Sequence, residues 1–189
     1  MKRLAFIVLS AMLIAVFVIA SASKGGTKYS FNFDSFPQNV EDMEAFDVDR
    51  TDPYEVAAMT VAALTRFETS EADCFAMLNW LKGPDPLTGL EKTQLRDRLR
   101  GKGYKVMSFF KGATPENGYT PVQPYKISVS SNSDSFRESG WCRLYLKSGG
   151  ADSARPIKLR QKKSTKEWFL NDILFLADIR KPAEEDPWN

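Results

Sequence analysis

The stretch WCRLYLKSGGADSARPIKLRQ, residues 141 to 161, decides the fold class. Cys142, Leu144 and Leu146 alternate with Trp141, Arg143, Tyr145 and Lys147, and Ile157 and Leu159 alternate with Lys158 and Arg160. A period of two is the mark of a half-buried strand. The turn-like SGGADSA between the two runs is too short for a crossover, so the strands pair antiparallel. The same period appears upstream in YKISVS, with Ile127 and Val129 on one face, and downstream in KEWFLNDILFL, reached through a Lys163-Ser164-Thr165 turn. Together these runs predict a meander of about four strands.

Before residue 110 the period is different. In DPYEVAAMTVAALTRF, Asp52 is placed to cap a helix, Pro53 to occupy its first position and Glu55 to complete a capping-box-like arrangement. The run that follows is apolar on nearly all sides, so this helix should be largely buried. Ser70 with Asp73 opens a second helix that stops at Gly83-Pro84. Thr88 with Glu91 opens a third, about Gly89 to Arg100, a surface element with apolar residues only at Leu90, Leu95 and Leu99. Tyr29, Phe31 and Phe33 read as a short strand with one aromatic face, whereas 37–51 is acidic and shows no clear period. About three helices followed by a curved antiparallel meander make an α+β domain, and the nearest familiar architectures are cystatin-like and NTF2-like.

Between the two halves lies FKGATPENGYTPVQPY, residues 110 to 125. Proline fixes φ and Asn117-Gly118 accepts a positive φ, so the segment reads as an ordered connector pinned by Phe109, Phe110 and Tyr119. Loops often carry function, and Phe110 and Tyr119 are therefore also candidate ligand contacts.

The N-terminus bears on location. Lys2 and Arg3 precede an apolar run from Leu4 to Ala20, and Ala20-Ser21-Ala22 offers a small-x-small cleavage site. Residues 1–22 are expected to be a signal peptide or a retained membrane anchor, 23–28 a linker, and 29–189 a single domain placed outside the cytoplasm. Loss of Lys2 and Arg3 would take the formal net charge from +2 to zero, so bulk charge selects no partner. Its distribution is uneven: 27–80 holds 11 acidic and 3 basic residues, and 81–181 holds 10 acidic and 20 basic.

Histidine is absent, which removes Ser-His-Asp triads, Cys-His pairs and histidine-based zinc sites. Cys74 and Cys142 are the only cysteines, expected as buried free thiols, with a disulfide as the alternative. Asp47 to Asp52 lacks the Gly and Glu that a helix–loop–helix calcium loop needs, because Asp52 and Ala58 stand in those positions. Ser108-Phe109-Phe110-Lys111, Ser130-Ser131-Asn132 and Lys147-Ser148-Gly149 mimic the three motifs of penicillin-recognising enzymes. The first of these must open a helix, and Lys111 is instead followed by Gly-Ala-Thr-Pro, so the match is dismissed. No cofactor or metal is expected.

Lys158, Arg160 and Lys162 share one side of their strand, and Trp141, Arg143, Tyr145 and Lys147 share the outward side of theirs. If the two sides coincide, a cationic stripe with aromatic company faces solvent. Its anionic partners outside a cell would be a wall polymer or lipid headgroups, and no nucleic acid is expected. A non-catalytic binding module is the first expectation. A hydrolase-like enzyme using carboxylates in a concave sheet pocket and a purely structural envelope protein are the alternatives.

Several segments, DPYEVAAMTVAAL, MLNWLKGPDPL, FFKGATPENGYTP, RPIKLRQKKSTKEWFL and DIRKPAEEDPW, also occur in an order that resembles an uncharacterised family of signal-bearing bacterial proteins of Gram-positive type, a domain of unknown function. The resemblance spans about Thr51 to the C-terminus, and it implies no activity, ligand or catalytic residue.

Overall fold

A computed structural model describes the protein over residues 26–188, and over 19–23 for the backbone. The expected leader thus falls mostly outside the described residues. The chain is α+β: β1 (Ile19–Ser23), β2 (Gly26–Phe33), α1 (Val40–Ala45), α2 (Pro53–Leu64), α3 (Glu71–Lys82), α4 (Gly89–Leu99), α5 (Tyr104–Met107), β3 (Tyr125–Ser130), β4 (Trp141–Leu146), β5 (Arg155–Gln161) and β6 (Trp168–Ile173). The strands form one antiparallel sheet in the order β1-β2-β3-β4-β5-β6. The sheet is therefore larger than the four-strand meander expected, because β2 pairs with β3 along its length. β2 also begins at Gly26, so Gly26 to Lys28 is strand rather than linker.

The helix starts follow their caps. The Asp52 side chain accepts from the Tyr54 N–H, Ser70 from Asp73 and Thr88 from Glu91, and the Thr88–Glu91 capping box is complete. Gly83 ends α3 at φ 60°, in the left-handed region that glycine enters without steric cost. One expectation fails: Glu55 does not close a box on Asp52, because the Asp52 N–H donates to the Asp49 carbonyl. The short helices α1 and α5 carry too few apolar residues for a visible period, yet they deliver Met43 and Val106 to the core.

α2 organises the interior. Of its 12 residues only Glu55 is not buried. One side lies across β2, β3, β4, β5 and β6, and another meets α3. Ala57, Ala58, Ala62 and Ala63 keep the helix thin enough to be packed from several directions. Its two buried residues with hydroxyls are both satisfied, Thr60 by donating to the Val56 carbonyl at 2.8 Å and Tyr54 by donating to Ser131 Oγ at 2.8 Å. The sheet's inner face offers Phe31, Phe33, Ile127, Val129, Cys142, Leu144, Leu146, Ile157 and Leu159, all buried. The inner face is thus filled by helix rather than open to a ligand. Cys74 and Cys142 are free and buried, and burial pushes both thiols up to about 12, which leaves them inert.

The connector has a specific place in this sheet. β3 and β4 pair only at Val129–Leu146 and Ser130–Tyr145 and then diverge. Phe110 and Lys111 enter the gap: Phe110 bridges Ile127, and the Lys111 N–H donates to the Lys126 carbonyl at 2.8 Å. The turn beyond is held by Asn117, whose amide donates to the carbonyls of Gly112 and Thr120 at 2.8 and 3.0 Å. Tyr119 adopts φ 60° behind Gly118, and its hydroxyl donates to the Arg180 carbonyl at 2.7 Å.

Two stability predictions follow from these contacts. Tyr119→Ala removes a buried ring and strands the Arg180 carbonyl, and should lower unfolding free energy by about 3–5 kcal/mol in denaturant titration. At the head of α2, burial reinforced by the Asp52 carboxylate pushes Glu55 up to about 7 from 4.5. The folded state therefore holds this proton more tightly than the unfolded chain, and the associated stability is present below pH 4.5 and lost as pH rises through about 7. Glu55→Gln should melt higher than the wild type at pH 8, by about 1–2 kcal/mol after allowing for solvent screening, with the difference vanishing at pH 4.

Candidate anion-binding face

Each strand of the meander presents its second set of side chains to the face opposite α2. Register settles the alignment left open by the sequence: Trp141 stands opposite Arg160, Arg143 opposite Lys158, and Tyr145 opposite Pro156. The two runs therefore share one outer face. The Trp141 ring supports two cations, with Lys158 Nζ 4.2 Å and Arg160 Cζ 5.0 Å from its centroid. These contacts fix the charged ends over an aromatic plane and hold them near solvent. Lys147 and Lys162 continue the stripe beyond the ends of β4 and β5, and both are exposed. Phe110 and Tyr119 are elsewhere. Each is 2% exposed and packed in the core, so seven of the nine candidate residues meet on one surface and two do not.

The face extends further than the stripe. On β2 and β3 the outward pairs are Lys28 with Ser130, Ser30 with Ser128, and Asn32 with Lys126. Lys126 was legible from the alternation of YKISVS, whereas Lys28 was hidden by the glycine-rich segment before it. Across the outward positions of β2 to β5 there is no carboxylate. Asp172 on β6, opposite Lys158, is the first on this side. None of Lys28, Lys126, Arg143, Lys147, Lys158, Arg160 and Lys162 makes an ion pair among the described residues.

Several hollows lie along this face. One of about 390 Å³ is lined by residues of β2, β3 and the connector, an adjoining one of about 280 Å³ shares Lys28 and Lys147 with it, and one of about 750 Å³ is lined by Trp141, Arg160, Lys162 and Phe169 together with Lys82 and Asp85. Another, of about 110 Å³, sits apart between α4 and β6, floored by Leu87, Leu95 and Leu170 beside the Lys82–Glu91 ion pair. Unpaired cations beside an aromatic plane can hold phosphates, sulfates or carboxylates along an extended ligand. They offer no activated nucleophile.

Other chemistry is committed to structure. The Ser108 hydroxyl donates to the Lys105 carbonyl at 2.7 Å and accepts from Ser148 at 2.8 Å, so this buried pair fastens the end of α5 to the segment after β4. In the acidic segment, Asp52 caps α2 and Asp49 accepts from the Thr51 N–H and hydroxyl, at 2.8 and 2.7 Å. Among the described residues no group of three or more carboxylates or thiols is placed to hold a metal ion, and no helix is long and apolar enough to cross a membrane.

No curated protein and no solved structure matches the chain. A family model does match, over residues 35–183, beginning ahead of the segments that carried the resemblance and including every element from α1 to β6. The chain belongs to that family, described as domain of unknown function DUF6935.

Proposed function

We propose that the protein is a non-catalytic binding module, exported by residues 1–22 and working in an envelope of Gram-positive type. There it holds an anionic wall polymer against the outer face of its sheet. The observation that carries this reading is the charge pattern of β2 to β5, where outward positions bear five basic residues and no carboxylate. Neutral or mixed-sign faces are the ordinary way to keep a sheet soluble, and a run of one sign acts at a distance set by the Debye length, ~8 Å in physiological salt. The stripe crosses the strands, and neighbouring strands lie about 4.8 Å apart, so four strands present cations over roughly 14 Å. That span suits a chain of repeated anionic units. A polymer is favoured over a lipid surface because the large exposed apolar side chains, Leu90, Val122, Phe136, Leu174 and Trp188, do not lie at outward positions of these strands.

Neutralising Lys158, Arg160 and Lys162 together as glutamine should weaken binding of purified wall polymer about 100-fold, at about 1 kcal/mol for each basic residue near an anionic surface. Wild-type binding should fall steeply with added salt. Isothermal titration against polymer and against anionic vesicles separates the partners. Polymer binding unchanged by the triple substitution would remove the stripe from the account, and vesicle binding alone would transfer it to lipid.

A further inference from the structure

The hollow of about 390 Å³ on the outer face has a composition that the stripe does not explain. Lys28 from β2, Lys126 from β3, Lys111 from the connector and Lys147 from the end of β4 all line it. These residues are far apart in sequence, and the fold brings them together at the point where β3 and β4 diverge and the connector enters. No carboxylate lines this hollow, and none of the four lysines is ion-paired among the described residues. The adjoining hollow, which shares Lys28 and Lys147, contains Asp152, but that carboxylate is taken by Arg180 at 2.8 Å. The hydroxyls of Ser30 and Ser128, paired across β2 and β3, also line the site and make no hydrogen bond within the described residues.

We propose that this cleft is a subsite for a phosphate group, carried as a phosphomonoester or a phosphodiester. Four ammonium groups and two hydroxyls supply far more donors than the two oxygens of a carboxylate can accept. A tetrahedral phosphate offers three or four acceptor oxygens, and it answers both the donor count and the uncompensated charge. The lysine side chains are free for this role, because the fold uses only main-chain atoms of Lys111 and Lys126 at their junction. The subsite rests on the outer face being the binding face, but it adds a place and a chemistry. Along a phosphate-bearing polymer, one phosphate would seat here while the stripe holds its neighbours.

The test compares soluble polyphosphate with polyglutamate of matched charge by titration calorimetry. Inorganic phosphate serves as competitor, and phosphatidylglycerol vesicles form a separate arm. The wild type should prefer polyphosphate, and Lys111→Gln/Lys126→Gln should lose about tenfold or more in polyphosphate affinity while polyglutamate binding changes little. Competition by inorganic phosphate at millimolar level would identify the free ion as sufficient, and its failure would show that the cleft requires a phosphate within a chain; both support a phosphate subsite. Equal affinity for the two polymers or an unaffected double variant would overturn it, whereas vesicle binding lost in the double variant would assign the phosphodiester to a lipid headgroup. If the double variant binds normally while Lys158→Gln/Arg160→Gln/Lys162→Gln does not, the face stands and the subsite falls. Binding of neither polymer would reject both.

Discussion

The structure depends on the enclosure of α2. A helix apolar around most of its circumference has no stable exposed state, since a surface helix needs a polar face. Leaving side chains such as Val56, Met59, Val61 and Leu64 in water would cost roughly 1.5–3 kcal/mol each. The chain meets this constraint by laying its strands across one side of α2 and packing α3 against another. The sheet's inner face is consumed by the core. Its outer face carries the cations that make no ion pair among the described residues.

That division also accounts for the role of the connector. It begins as a candidate loop site and ends as part of the sheet, with Phe110 bridged to Ile127 and Tyr119 fastened to Arg180. By entering where β3 and β4 separate, it brings Lys111 beside Lys126 and Lys147. The aromatic side chains of this segment do structural work on the inside, and its basic side chain reaches the outer face. Penicillin-like motif fragments converge nearby for the same reason. Ser108 and Ser148 meet where the connector and the end of β4 are joined, and both hydroxyls donate within that junction.

Local signals were legible where a single residue type has a single physical use. Asp52, Ser70 and Thr88 cap helices, Gly83 ends one, and alternation marks β4 and β5 with their inward and outward sets. Long-range facts were not. That β2 lies beside β3 across the whole helical half is a matter of pairing, which periodicity does not encode. α1 and α5, of 6 and 4 residues, are too short to show a helical period and are held by tertiary contacts of Met43 and Val106. Glu55 satisfies the capping-box pattern in spacing only, because the Asp49 carbonyl takes the Asp52 N–H that the box would use. The outer face itself was half visible. Its stripe on β4 and β5 could be read, whereas the lysine cleft needed four separate segments in place.

The central claim is that the proposed binding belongs to the outer face of the sheet. Side-chain NMR signals of lysine, arginine and tryptophan, followed through a titration with soluble polyphosphate, test it directly. The account predicts changes at Lys28, Lys111, Lys126, Trp141, Arg143, Lys147, Lys158 and Arg160, with Lys92 and Arg98 on the helical side unmoved. Changes centred on Arg98 and the hollow between α4 and β6, or no saturable change at any cation of the outer face, would contradict it.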